Sequence, residues 1–321
     1  MGGGPQLGFS GVREHAQYFL SRGADAANKG DYKVARLQFE NALKVTGDLP
    51  AMRSHALLCL GDVAFDQSQY KTAEQFYNRS MKGLQKVGIT DTRLIIAKGR
   101  FSKARISQDL GYPQHAHSLA EDALGAFEEL QQYDLAAIGY NLFGVLAWQQ
   151  GDKRKGLNYI NKSIKIKEQN NMTRGVAASK MLRALITARA QGQNPFCTSS
   201  SLDDLRNARG TYEAGDVNGL AKTSYVFGRV FECTPLHQNQ AVGWYAKTLE
   251  LCDKHHFLKG KAVALQGLAR TAQYDFFGEE RPLSASEYHS EAVKIFKKLG
   301  CNPAHIPKTP SSLDKILETF V

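Results

Sequence analysis

The sequence predicts an all-α fold, a superhelical solenoid of about seven helix–turn–helix pairs. Three observations predict it. Small and turn-forming residues recur at fixed offsets, the midpoints of those sets lie 38 to 43 residues apart, and alternating β-branched runs bounded by hairpin turns do not appear.

The first pair spans GADAANKGDYKVARLQFENAL. From Gly23, midway along its first helix, the turn residue Gly30 follows after seven positions, Ala35 after twelve, Phe39 after sixteen and Ala42 after nineteen. The same offsets from Gly61 reach Ser68, Ala73, Tyr77 and Ser80. From Ala104 they reach Gly111, Ala116, Ala120 and Ala123, and from Gly144 they reach Gly151, Gly156, Ile160 and Ser163. Two antiparallel helices approach closely only where the facing side chains are small, and an aromatic or branched residue between the small ones fills the space left over. The recurring glycine ends one helix and lets the chain reverse, and Asp31 and Asp152, just after two of these glycines, are placed to accept from free amides of the second helix. The fifth pair keeps Leu185 and Gly192, with an insert near 193–201. The sixth carries Gly228, Ala241, Tyr245 and Thr248, and the seventh has Gly267, Ala285, His289 and Ala292 after a longer loop. Ser201 with Asp204, and Ser284 with Glu287, have capping-box spacing at the starts of second helices. Pro195 and Pro282 fall in loops.

On these residues the chain resembles the tetratricopeptide repeat (TPR) family, most clearly in GDYKVARLQFENAL, SQYKTAEQFYNRSM and GDKRKGLNYINKSI. The resemblance implies a right-handed superhelix. The period is longer than the common 34 residues and is similar to the long-repeat subclass of LGN-type polarity adaptors, rapsyn and kinesin light chains. That subclass implies a non-catalytic adaptor. The expected organisation is a flexible start over 1–11, a solenoid over 12–300, and a proline-containing linker with an amphipathic helix over 301–321.

Composition narrows the classes. The 321 residues are 42% hydrophobic and 22% charged, with no apolar run long enough to span a bilayer. The first residues lack the apolar stretch of a secretory signal, and Gln6 stands where myristoylation wants Ser or Thr. Five widely spaced cysteines form no C-x-x-C pair, so reduced thiols in the cytoplasm or nucleus are expected. The net charge of +10 is spread as +3 over 1–160 and +7 over the rest, which suits an acidic partner better than nucleic acid.

In such a stack the first helices line a concave face. Its expected residues begin with Gln17, Ala24 and Asn28, continue through Asp62 and Asp66, and become basic with Lys98, Arg105, Asn141, Trp148, Gln149, Arg183, Arg189, Lys222, Tyr225 and Arg229. The expectation is a protein or peptide partner bearing carboxylates, anchored by Arg105, Arg189 and Arg229. The alternative for the same residues is a solvated basic face with no dedicated ligand. Leu20 and Ala24 occupy places where one TPR subclass carries the asparagine and lysine of its chaperone-tail clamp.

Two further segments attract functional readings. Leu313, Ile316, Leu317 and Phe320 share a helical face that is expected to cap the last pair, or to fold into the groove as a switch. Thr319, Phe320 and Val321 also fit a carboxyl-terminal ligand of PDZ-type domains. The insert, QNPFCTSSS, reads as a surface loop or a phosphorylation site. No metal or cofactor is expected: no histidine pair has the three- or four-residue spacing of a helical metal site, and no nucleophile or phosphate-loop motif appears. Besides the adaptor reading stand a ligand-gated regulator switched by the C-terminal helix and a helical-repeat RNA binder.

Overall fold

The computed structural model describes residues 9–47, 49–82, 84, 88–188, 198–213, 215–233, 237–272 and 283–312. It contains fourteen α-helices among these residues, and no strand. They stack as seven antiparallel pairs: α1 (Phe9–Asn28) with α2 (Tyr32–Val45), α3 (Pro50–Asp66) with α4 (Tyr70–Ser80), α5 (Ile89–Asp109) with α6 (Pro113–Glu129), α7 (Tyr133–Gln149) with α8 (Lys153–Gln169), α9 (Thr173–Ala188) with α10 (Thr198–Tyr212), α11 (Val217–Glu232) with α12 (Gln238–His255), and α13 (Leu258–Thr271) with α14 (Ala285–Leu299). This is the helical-repeat superhelix that the offsets predict. None of the described helices is long and apolar enough to cross a membrane.

The small residues sit where the helices touch. In the fourth pair a Cβ on Gly144 would stand 2.6 Å from Ile160 and 3.0 Å from the carbonyl of Gly156, and a Cβ on Gly156 would stand 2.8 Å from the carbonyl of Gly144. The two backbones therefore meet directly, a separation that no side chain allows. Ala35, Ala73, Ala116 and Ala241 are fully buried at places equivalent to Gly156. Asp31 and Asp152 accept from the amides of Val34 and Lys155, at 3.0 and 2.9 Å. Ser284 and Glu287 form the reciprocal capping box. Ser201 does not cap: α10 begins at Thr198, so Ser201 lies within the helix and is buried, while Asp204 binds Arg183 instead. The start of α10 inside the expected insert causes the difference, and residues 189–197 lie outside the described segments.

After α14 the chain runs as a strap with a short 3-10 turn at Pro303–His305. The Gln266 side-chain amide donates to the carbonyls of Thr309, Pro310 and Ser312 at 3.1–3.2 Å, and His289 meets the Gln266 carbonyl oxygen at 2.9 Å. The strap thus occupies the face of the last pair through its backbone. The amphipathic segment beyond it, with Thr319, Phe320 and Val321, lies outside the described residues.

The superhelix is tight enough for its early and late pairs to touch. Tyr32 packs edge-on against Phe257, with ring centroids 5.7 Å apart. The Lys259 amide donates to Ser68 Oγ at 3.0 Å and the Lys259 ammonium to the Asp109 carbonyl at 2.6 Å. Asn302 reaches the carbonyls of Leu110 and Gly111 through its backbone and side-chain nitrogens, at 2.7 and 3.0 Å. The turns of the first three pairs therefore seat on the sixth and seventh pairs.

Candidate functional site

Closure of the superhelix leaves a central cavity of about 370 Å³, lined mainly by first helices from α3 to α13 and open to solvent on one side, where Ile138 is exposed. Its apolar surface includes Phe65, Phe101, Leu142 and Leu182, and its charged and amide groups include Asp66, Arg105, Asp109, Asn141, Lys222 and Lys259. A second hollow of about 240 Å³ lies beside it, lined by His55, Cys59, Asp62 and Lys98, with Arg105 on the wall of both.

Arg105 is held by a ring and a carboxylate. Its guanidinium lies over the Phe65 ring, 4.2 Å from the centroid, and pairs with Asp62 at 3.5 Å. Asp62 in turn accepts from the Tyr77 hydroxyl at 2.8 Å, which ties the charge to the interior of the second pair. Asp66 is half-buried at the cavity wall. Burial raises its pKa to about 6, against the opposing pull of Lys222 and Arg105. Burial likewise lowers the His55 pKa, helped by the nearby charge of Lys98.

Asn141 is positioned from behind. Its side-chain oxygen accepts from Ser179 Oγ at 2.9 Å, and Ser179 accepts from the Lys167 ammonium at 2.8 Å. With its oxygen engaged there, the amide nitrogen is the group Asn141 offers to the cavity. Lys167 is 1% exposed, and burial lowers its pKa to about 7.

Of the residues expected in the groove, Arg105, Asn141 and Lys222 line the central cavity and Lys98 lines the adjoining hollow. Arg183 sits apart, in a surface hollow, with both ends of its guanidinium on Asp204 at 2.8 Å. Gln149 is half-buried at the end of α7 and does not reach the cavity wall, and Arg189 lies outside the described residues. Trp148, Tyr225 and Arg229 belong to the interior. Trp148 packs beside Gly156. Arg229 donates to the Tyr225 hydroxyl at 2.8 Å and stands 3.5 Å from Glu232, which also binds Arg270 at 2.5 Å. Burial alone would raise the Glu232 pKa, but Arg270 and Arg229 outweigh it and hold it down at about 2. The equivalence between Arg105 and Arg229 fails because α11 packs directly on both α9 and α13, and Arg229 is 1% exposed while Arg105 stays half-buried at the cavity.

Ser68, Gln108, Asp109, Asn218 and Lys259 are polar wall residues that pattern reading misses. They come from turns and helix ends, and only the long-range closure brings them to the cavity.

The wall carries cations and carboxylates interleaved, with a fixed amide donor between them. Such a surface can hold a polar chain by its backbone and a charged group by its end. No nucleophile with a base aimed into the cavity is present among the described residues, and no group of side chains there has the makings of a metal site.

No family model matches the chain, and no curated protein matches it. A solved structure does: a Rap protein complexed with Competence and Sporulation Factor superposes with a TM-score of 0.63 at 15% identity, over 92% of this chain and 77% of that one. At that identity the likeness is one of fold.

Proposed function

We propose that the protein is a non-catalytic interaction module whose central cavity holds a short extended segment of a protein partner. The observation that carries this reading is Asn141. Its amide is braced by Ser179 and faces a cavity flanked by Arg105, Lys222 and Asp66. A backbone carbonyl of the segment accepts from Asn141, and a carboxylate of the segment lies against Lys222 and Arg105. Asp62 and Asp66 limit the anionic charge that the cavity accepts. A segment with one or two carboxylates fits better than a polyanion, which also disfavours RNA. The solved relative of the same fold is complexed with a factor of its own, which supports a binding role.

The 38-to-43-residue spacing supports a place beside long-repeat adaptors, and five widely spaced cysteines with no C-x-x-C pair support a reducing compartment. The working unit is the solenoid over 12–300, with 301–321 as an appended tail.

The test is a fluorescence-anisotropy screen of random twelve-residue peptides, sorted as acidic, neutral and basic, against the full chain. Peptides with one or two carboxylates are expected to bind, with at least tenfold loss for Lys222→Glu and several-fold loss for Asn141→Ala in variants that melt like the wild type. Equal binding by all three proteins would place the site elsewhere, and binding by none of the peptide classes would overturn the reading.

A further inference from the structure

Among the described residues, the buried side-chain nitrogens and oxygens without a hydrogen-bond partner include one on the wall of the central cavity, Gln108 Nε2. Gln108 is 8% exposed. A sealed amide nitrogen without an acceptor is costly, and folded proteins keep few of them. Gln266 shows the ordinary arrangement in the same chain. It is fully buried, its nitrogen donates to the carbonyls of Thr309, Pro310 and Ser312, and its oxygen meets His289. Gln266 is an amide that the fold uses. Gln108 has no such bonds from its nitrogen to hold it in the wall.

The surroundings of Gln108 decide what it can take. It stands three positions after Arg105 in α5, so the two share a helix face and lie about 4.5 Å apart along the axis. An extended chain advances about 3.3 Å per residue. A segment whose carboxylate lies against Arg105 therefore brings a side chain one or two residues away to Gln108. The charges beside Gln108 already have partners: the Lys259 ammonium donates to the Asp109 carbonyl at 2.6 Å, and the Asp109 carboxylate accepts from the Tyr70 hydroxyl at 2.9 Å. A charged group placed there would be buried without a free counter-charge, which is unfavourable. A neutral carboxamide matches instead. Its carbonyl accepts from Gln108 Nε2, and its N–H donates to Gln108 Oε1. The Gln108 nitrogen gives up no hydrogen bond when the carboxamide turns toward such a partner.

We infer that Gln108 is a specificity-determining residue of the cavity and selects a segment with an asparagine or glutamine one or two residues from its carboxylate. The inference rests on the reading of the cavity as a peptide site and adds a preference to it. Gln108 is kept at a cost to the stability of the free chain, which gives it a signature that a structural glutamine lacks.

Four pools of fluorescein-labelled twelve-residue peptides test this by anisotropy against the full chain. All carry the core Asp-Z-Ala-Asp within random flanks of uncharged residues other than asparagine, glutamine and methionine. Z is glutamine, methionine, glutamate or lysine, unbranched side chains of similar reach. The glutamine pool is expected to bind roughly three- to tenfold tighter than each of the others, the worth of one or two neutral hydrogen bonds. Gln108→Met should bring the glutamine pool down to the methionine pool, while Lys222→Glu weakens both alike. Gln108→Met should also raise the denaturant midpoint of the free chain, because unbranched methionine fills the space without a sealed nitrogen. The wild-type comparison needs no variant: a glutamine pool that binds no tighter than the others, with the Lys222→Glu loss intact, would overturn the inference and leave the proposed function standing. A glutamine preference that survives Gln108→Met would overturn it too. So would a midpoint that falls with Gln108→Met, the mark of an amide that the fold itself uses. Binding by no pool would overturn the proposed function and this inference together.

Discussion

Two side chains carry charge where the surroundings resist it, and each has a measurable consequence. Lys167 is buried without a carboxylate beside it, and its pKa falls from 10.5 to about 7. A lowered lysine pKa means that the unfolded chain binds more protons between pH 7 and pH 10.5, so stability rises with pH across that window and the full penalty applies below pH 7. Lys167→Met is expected to raise the melting temperature by a few degrees at pH 6, with the advantage shrinking toward pH 10, as calorimetry across pH would show. Asp66 titrates near pH 6 on the cavity wall. If the bound segment presents a carboxylate, protonating Asp66 removes a like charge, so affinity should be several-fold higher at pH 5.5 than at pH 7.5, and Asp66→Asn should flatten the profile. An affinity that falls on acidification would point instead to a cationic group bound at Asp66. These sites were half legible in the sequence. Asp66, Arg105, Asn141 and Lys222 could be placed on the concave face by their offset from a small residue. The burial that defines Lys167 could not, because its helix face is covered by α9 and nothing in the local pattern marks that.

At the scale of the helix, glycine has two opposite meanings here. Gly61 faces the Tyr77 ring so closely that a Cβ would stand 2.3 Å from it, whereas Gly210, in the exposed last turn of α10, has open space around it. Gly61→Ala is expected to destabilise by roughly 1–3 kcal/mol through overpacking. Gly210→Ala should stabilise by about 0.5–1 kcal/mol by restricting the unfolded chain. Denaturant midpoints of the two variants check both signs. Helix pairing was the most legible feature, since one small residue per helix and one reversing residue per turn set the register of the first four pairs. The start of α10 was not legible, because Ser201 with Asp204 has capping-box spacing by coincidence while Asp204 serves Arg183. Trp148, Tyr225 and Arg229 failed for a related reason. Offset from the midpoint gives a direction around the helix axis, but exposure also depends on how tightly successive first helices nest, and that is a property of the stack.

For the whole molecule, closure changes what kind of solenoid this is. An open stack has only neighbour contacts, so its pairs unfold from either end in a nearly independent manner. Here the first pair bears on the start of the seventh through Tyr32 and Phe257, and the third bears on the strap through Asn302. Tyr32→Ala, a change in α2, is therefore expected to speed hydrogen exchange at the start of α13 as well as in its own pair, by at least several-fold. An increase confined to the first two pairs would mean that the stack behaves as open. No sequence periodicity encodes this coupling. The residues that make it, Ser68, Lys259 and Asn302, occupy unremarkable turn positions, and their meeting follows from the accumulated rotation of seven pairs.

The bond between Gly111 and Asn302 also has a consequence in time. A ribosome that adds roughly 5–20 residues per second exposes the end of α5 about 10–40 s before it delivers Asn302. Through that interval the early pairs exist as a half-built arc, with the carbonyls of Asp109, Leu110 and Gly111 facing water and the future cavity open along one side. A nascent chain of this protein is thus most receptive to other molecules before its synthesis is finished, and a factor that binds co-translationally would meet a wider mouth than the completed protein offers.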